Sequence, residues 1–270
     1  PYCYAADVKD EELTREDIKN NAKKILEQHP LAVVLSGGEP MLHSELIKEA
    51  ILNLGGETGL IIDTNGTIMI PELLPLLVEY NVVVRVSLDS FMPKHNEKVR
   101  PYKDRGEQKR EGLDVILNNI NQYRSYHIPV IVQTVATTIN KSDLTDLFVK
   151  LPQLGVQGWR IFMPIIPNNK NRQEIFRALM IREGESWEST SQAIKKDIDR
   201  IKVKYHKYPN FSIQFIDGEN SIKNSVLLML PDGSFATESI YSQEKIILAD
   251  NDIVNKINFA AHMERYLNKD

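Results

Sequence analysis

Five runs rich in Val and Ile punctuate the first part of the chain, at residues 31–35, 59–62, 82–86, 129–135 and 159–166. They are more nearly continuous than alternating, as strands covered on both faces are, which points to a parallel sheet. Between them, apolar positions recur at helical spacing. Thr14-Arg15-Glu16-Asp17 has the form of a capping box, and Ile18, Ala22, Ile25 and Leu26 follow on one helical face. Similar patterns cover 42–54, 71–80, 111–123 and 142–151. Strand alternating with helix five times predicts right-handed β-α crossovers, and so a barrel or a doubly wound sheet.

The rhythm changes after residue 167. A polar loop at 168–171 leads to a highly charged helix over 186–207 that carries Ile194, Ile198, Ile201 and Val203, its charges forming a solvated face. Three strands are predicted at 211–216, 226–230 and 235–238. Pro231-Asp232-Gly233-Ser234 makes a hairpin turn between the last two. A short strand at 245–249 and a closing helix at 253–267 complete the chain. The expected organisation is a core over 1–167 and an extension over 168–270 packed on the same barrel, its hairpin extending the sheet.

Composition narrows the class. At 270 residues the chain buries one substantial core. Hydrophobic content of 42%, charged content of 26% and a formal net charge of −4 describe an ordinary globular surface and exclude a dedicated nucleic-acid face, which is basic. No apolar stretch has the length of a membrane span. One cysteine rules out a disulfide framework and fits a reducing compartment, so a cytoplasmic location is expected.

The chemistry gathers at strand ends. The first four runs close on Ser36-Gly37-Gly38-Glu39-Pro40, Asp63-Thr64-Asn65-Gly66-Thr67, Ser87-Leu88-Asp89-Ser90 and Thr137-Thr138-Ile139-Asn140, and the fifth carries Arg160. In a β/α barrel these ends share one mouth, where active sites sit. Singly, each has a plain structural use: Asn65-Gly66 as a turn, Asp89 or Ser90 as a helix cap, the glycines as loop. The histidines show no zinc-ligand spacing with cysteine or carboxylate, and Trp159 and Trp187 read as packing residues.

Pro1-Tyr2-Cys3-Tyr4 followed by Gly37-Gly38-Glu39-Pro40 resembles the radical S-adenosylmethionine (radical SAM) superfamily. There a Cys-x3-Cys-x2-Cys loop holds a four-iron four-sulfur cluster; Cys3 matches its third cysteine, and the second is expected immediately before Pro1. The resemblance covers residues 1–167, with Thr64-Asn65-Gly66-Thr67 and Ser87-Leu88-Asp89 as further signatures. His95-Asn96-x3-Arg100 resembles the peptide and sulfatase maturase branch, and Pro231-Asp232-Gly233 the hairpin of that branch's extension, without its auxiliary-cluster cysteines.

The resemblance implies an α/β partial barrel of the six-unit kind, its first strand absent from these residues, and the cofactors four-iron four-sulfur cluster and SAM. It implies an enzyme that cleaves SAM reductively and abstracts a hydrogen atom from a substrate, a peptide or protein side chain in that branch. An electron donor such as flavodoxin or ferredoxin follows. Three thiolates leave one iron open for SAM, so a chain with Cys3 alone is expected to hold no intact cluster and to be inactive by itself. Gly37 and Gly38 would let backbone approach the ligand, beside Pro40 and Asp89 of the same motifs. Glu39 would accept bonds from the methionyl amino group, serving binding rather than folding. Ser87 and Arg100 are candidates for the carboxylate and ribose side, and Thr64, Asn65, Gln133 and Arg160 for the sugar, adenine or substrate. Asp217 and Glu219, at the end of the 211–216 run, are candidate catalytic or substrate-contacting carboxylates. Two other classes compete: a degenerate barrel acting as a binding module, and a small-molecule enzyme of a different barrel class with Cys3 incidental.

Overall fold

The computed structural model describes residues 13–101, 112–163, 173–174, 176–178, 181, 184, 186–204, 210–216, 227–238 and 245–249. Cys3, Asp217, Glu219 and the 253–267 helix lie outside these residues. Helix α1 (Arg15–Leu26) starts at the expected capping box: Asp17 N–H donates to Thr14 Oγ1 at 3.2 Å and Thr14 N–H to the Asp17 carboxylate at 2.8 Å. Such a cap contributes about 1 kcal/mol by satisfying otherwise unpaired donors.

Six parallel strands follow in sequential order: β1 (Ala32–Leu35), β2 (Gly59–Thr64), β3 (Val83–Ser87), β4 (Val130–Val135), β5 (Gly158–Phe162) and β6 (Ser212–Ile216). The connecting helices are α2 (Ser44–Leu54), α3 (Leu74–Glu79), α4 (Pro93–Val99), α5 (Gly112–Ser125), α6 (Leu144–Leu154) and α7 (Trp187–Lys204). This is the partial-barrel α/β fold the sequence implied. Every neighbouring strand is parallel and sequential, so each crossover carries the chain over the same face and all C-terminal strand ends lie together.

Burial alternates along the strands. Leu60, Ile62, Val84, Val86, Val130, Val132 and Ile161 are buried in the core that α2, α3, α5 and α6 close with Ile51, Leu77, Ile120 and Leu147. On the opposite face Asp63, Arg85, Ser87, Gln133, Arg160 and Gln214 are half-buried. The run 82–86 therefore conceals a period of two, with Arg85 on the second face. Trp159, 1% exposed, donates its indole N–H to Thr134 Oγ1 at 2.9 Å, and Thr134 donates to the Leu88 carbonyl at 2.6 Å. This chain of bonds stitches β5, β4 and the end of β3 while satisfying the polar atoms of a large buried ring.

The C-terminal hairpin departs from expectation. β6 joins the main sheet, but β7 (Leu227–Met229), β8 (Phe235–Glu238) and β9 (Lys245–Leu248) form a separate three-stranded antiparallel sheet rather than an extension of it. Its turn is fastened to α1, where Lys24 Nζ donates to the Gly233 carbonyl at 3.0 Å and Asn21 closes on Gly233. A side chain–backbone anchor 209 residues away in sequence decides where the hairpin rests.

Two substitutions test this packing. Gly66 has φ +76°, and a Cβ there would lie 2.5 Å from Val86 Cγ1, whereas Gly56 at φ +86° has open space. Gly66→Ala should cost about 2–4 kcal/mol by urea unfolding, and Gly56→Ala about 1–2 kcal/mol from backbone strain alone. Tyr123 is buried with a hydroxyl that has no hydrogen-bond partner among the described residues. Burial, and then the Glu39 charge, push its pKa well above the tyrosine range. Tyr123→Phe should stabilise the fold by about 1–3 kcal/mol at neutral pH. Above about pH 10 the unfolded phenol ionises while the folded one keeps its proton, so native stability falls as pH rises. The advantage of Tyr123→Phe should then widen by about 1.4 kcal/mol per pH unit; an advantage constant across that range would show the phenol ionising in the folded state as it does in the unfolded one.

Candidate active site

The parallel ladder gathers the strand-end motifs into two hydrogen-bonded clusters joined across the sheet. In the first, Glu39 caps a 3-10 turn at Pro40–Leu42. Its Oε1 accepts from Met41 N–H at 3.1 Å and from Thr64 Oγ1 at 2.7 Å, and its Oε2 from Asn65 N–H at 2.7 Å. Thr64 Oγ1 in turn accepts from Gly66 N–H at 3.0 Å, and Asn65 Oδ1 from Thr67 N–H at 2.8 Å. Glu39 thus ties the end of β1 to the end of β2. The sequence led us to expect Glu39 to serve binding rather than folding; in the fold both its oxygens also work within the chain. A carboxylate offers about four lone-pair positions, so acceptor capacity remains for a ligand.

The second cluster centres on Asp89, which is completely buried. Oδ1 accepts from Val135 N–H at 2.8 Å, and Oδ2 from Arg100 Nε at 2.5 Å. Arg100, with a side chain only 25% exposed, is therefore a held group and not a surface charge. Asn96 Oδ1 accepts from Asp89 N–H at 3.1 Å, so α4 is tied to Asp89 from within its length and from its end. Asn140 Nδ2 donates to the carbonyls of Asp89 and Val135 at 2.8 and 2.9 Å. Ser90 Oγ donates to Asp143 Oδ2 at 2.5 Å, and His95 Nδ1 lies 2.7 Å from the same oxygen.

Below these clusters runs a polar row on the half-buried face. Asp63 pairs in register with Arg85, accepting from its Nε at 2.5 Å and Nη2 at 2.7 Å, and also accepts from Gln133 Nε2 at 2.8 Å. Ser87, Gln133, Arg160 and Gln214 are register partners across β3 to β6. Arg160 Nε donates to Gln214 Oε1 at 2.9 Å, and its guanidinium lies 5.1 Å from the Phe162 ring centre.

Of the residues expected at the site, Glu39, Thr64 and Asn65 meet at the ends of β1 and β2 with Gly37, Gly38 and Pro40 beside Glu39 in the chain, Asp89 and Arg100 pair after β3, and Ser87, Gln133 and Arg160 share the half-buried face, whereas Thr64 lies on the buried one. Sequence reasoning passed over Arg85, Gln214 and Asp143, and named Asn96 as part of a motif without giving it a role. For Arg85 there was a usable signal, a charge inside an apolar strand; the others are defined by partners distant in sequence.

Two features suit a nucleoside-amino acid ligand such as SAM. A Cβ on Gly37 (φ +156°) or Gly38 would meet nothing within 4 Å, so this bare backbone is open to close approach. Among the described residues the half-buried hydroxyl of Ser87 and the amide nitrogen of Asn65 have no hydrogen-bond partner. No three His, Cys, Asp or Glu side chains among the described residues are grouped to hold a metal ion.

The family model of the radical SAM superfamily matches residues 1–151. The chain belongs to the radical SAM superfamily. It is 24% identical over 162 residues to the AdoMet-dependent heme synthase of Methanosarcina barkeri (strain Fusaro / DSM 804), which covers 59% of this chain and 44% of that protein. Among solved structures, anSMEcpe with bound AdoMet superposes with a TM-score of 0.68 at 14% identity, covering 97% of this chain and 77% of that one. Streptococcus suis SuiB bound to precursor peptide SuiA gives a TM-score of 0.56 at 15% identity over 79% and 45%. The chain spans less than half the length of the heme synthase and of SuiB. No helix among the described residues is long and apolar enough to cross a membrane.

Glu39→Gln tests the first cluster. The substitution turns an NH₂ toward groups that already donate, Asn65 N–H on one side or Thr64 and Met41 on the other. Stability should fall by about 1–3 kcal/mol, with a matching drop in Tm by calorimetry; an unmoved Tm would take Glu39 out of the scaffold.

Proposed function

We propose that the chain is the SAM-binding core of a radical SAM enzyme that abstracts a hydrogen atom from a peptide or protein side chain, with Cys3 as one thiolate of a four-iron four-sulfur cluster. The observation that carries it is the open Gly37–Gly38 backbone next to Glu39, which is anchored within the chain, together with a Ser87 hydroxyl at the end of β3 that has no partner among the described residues. The cluster and SAM supply one-electron hydrogen-atom abstraction; the protein's part is to bind, orient and shield.

Those tasks divide among the residues by their degree of engagement. Gly37 and Gly38 offer peptide groups without side-chain obstruction. Ser87 offers a hydroxyl to a carboxylate at the end of β3. Arg100 stands nearby with Nε fixed by Asp89, which presets the plane of the guanidinium, and planar donors bind carboxylates with geometric selectivity. Thr64 and Asn65 line the end of β2. Gln133 and Arg160, with Asp63, Arg85 and Gln214, give the inner face its polarity toward a ribose, a base or the substrate. The cytoplasmic setting and an electron donor of the flavodoxin or ferredoxin kind belong to the same proposal, as does a substrate role for Asp217 and Glu219. The peptide assignment is supported by fold likeness to SuiB, solved with a precursor peptide, and to anSMEcpe.

The deciding experiment is anaerobic iron–sulfur reconstitution of the full-length protein, followed by assay of deoxyadenosine release from SAM with a chemical reductant. Broad iron–sulfur absorbance together with slow release is expected. Ser87→Ala should weaken SAM about tenfold or more, the loss of one hydrogen bond to a charged group. Its unfolding midpoint should stay in place, because the hydroxyl bonds to nothing among the described residues. Absence of both absorbance and release would favour the degenerate binding module.

A further inference from the structure

Described residues between β5 and the start of α7 line an open cavity that the cofactor reading leaves unused. It encloses about 230 Å³ and is lined by Gln173, Phe176, Arg177, Ile181 and Trp187. Phe176 is 4% exposed and meets Trp187 edge to face, with ring centres 5.1 Å apart and planes at 66°. Phe176 also packs on Val135 and Ile139. Val135 is the last residue of β4 and the one whose N–H is held by Asp89. The cavity therefore stands over the C-terminal end of β4, beside the Asp89–Arg100 pair.

Its size and chemistry limit what enters. Ligand pockets that take a whole cofactor run to about 300–1,000 Å³, so this one admits a single side chain or ring. Its walls are apolar except for Gln173 and Arg177. Arg177 is exposed and has no carboxylate partner among the described residues. One guanidinium suits one carboxylate. The edge-to-face rings leave no parallel slot of the kind on which a nucleobase stacks.

We propose that this cavity is a recognition pocket for the substrate peptide, taking one aliphatic side chain against Phe176, Ile181 and Trp187 and the carboxylate of an adjacent acidic residue on Arg177. It rests on the peptide reading of the function and adds a sequence preference to it: an aliphatic residue next to an acidic one. Recognition outside the residues assigned to SAM lets binding energy orient the peptide.

Tryptophan fluorescence tests the pocket without cluster or SAM. Trp159 is enclosed in the core, so ligand-dependent emission reports on Trp187, and Trp187→Phe confirms the source. The full-length protein is titrated with acetyl-Leu-Asp-amide, acetyl-Leu-Asn-amide and adenosine monophosphate. A saturable change with Leu-Asp is expected, with Leu-Asn about tenfold weaker for want of the charge. Arg177→Gln should bring the two dipeptides to equal affinity while circular dichroism stays unchanged. No saturable response to Leu-Asp, equal affinity for both dipeptides in the unsubstituted protein, or preferential response to adenosine monophosphate would overturn the proposal. Deoxyadenosine release is followed separately. Release without dipeptide binding defeats the pocket alone, and dipeptide binding without release defeats the radical SAM reading alone.

Discussion

A carboxylate with no exposed surface has to be neutralised or fully bonded, because removing a charge from water costs several kcal/mol even after relaxation. Asp89 meets that condition with Val135 N–H on one oxygen and Arg100 on the other. The consequences reach well beyond the pair. The bond to Val135 fixes the end of β4 against the end of β3, and Asn140 closes the same gap by donating to the carbonyls of Asp89 and Val135. The bond to Arg100, with Asn96 on the Asp89 N–H, holds a seven-residue helix whose sequence is too polar and too short to be stable alone. Removing one partner of such a pair costs about 3–5 kcal/mol. Position of the strand ends, of α4 and of the guanidinium therefore rises or falls with one buried charge.

The remaining polar groups at the mouth follow a gradient from satisfied to open. Asp63 accepts from both Arg85 and Gln133, and Arg160 is engaged with Gln214, so the inner face is organised before any ligand arrives. Fixed dipoles of this kind need not reorganise when charge moves nearby, which is where preorganisation has its catalytic value. Ser87 and the Asn65 amide nitrogen stand at the other extreme, half-buried with nothing to bond among the described residues.

Much of this was legible in the chain. The five Val- and Ile-rich runs became β1 to β5 within a few residues, and the Thr14–Asp17 capping box formed as written. Parallel strands with sequential order put their ends together, so the polar residues named at those ends lie along one edge of the sheet. What stayed hidden was set by contacts between distant residues. Helix α4 opens at Pro93 and carries little apolar periodicity, and its place comes from Asp89 and Asp143. The hairpin's resting place comes from Lys24. Arg85 was masked because a strand with one half-open face still looks apolar when its valines are counted together; only the register with Asp63 gives the charge a partner.

Glu39 shows why motif and mechanism do not map one to one. A residue at the end of the first strand beside two bare glycines invites a ligand role, yet its carboxylate spans β1 and β2 and caps the turn that follows. The two roles are physically coupled. Gly37 and Gly38 can present their backbone to a ligand only if the residue after them is pinned, because glycine has the largest conformational entropy to lose. Glu39 supplies that pin through three hydrogen bonds, so the flexible pair is held at one end by a charged anchor. A carboxylate suits the task because it accepts from several donors at once, whereas an amide or a hydroxyl would leave one of them unmet. On this view the motif is a unit in which the glycines make room and the glutamate holds that room in place.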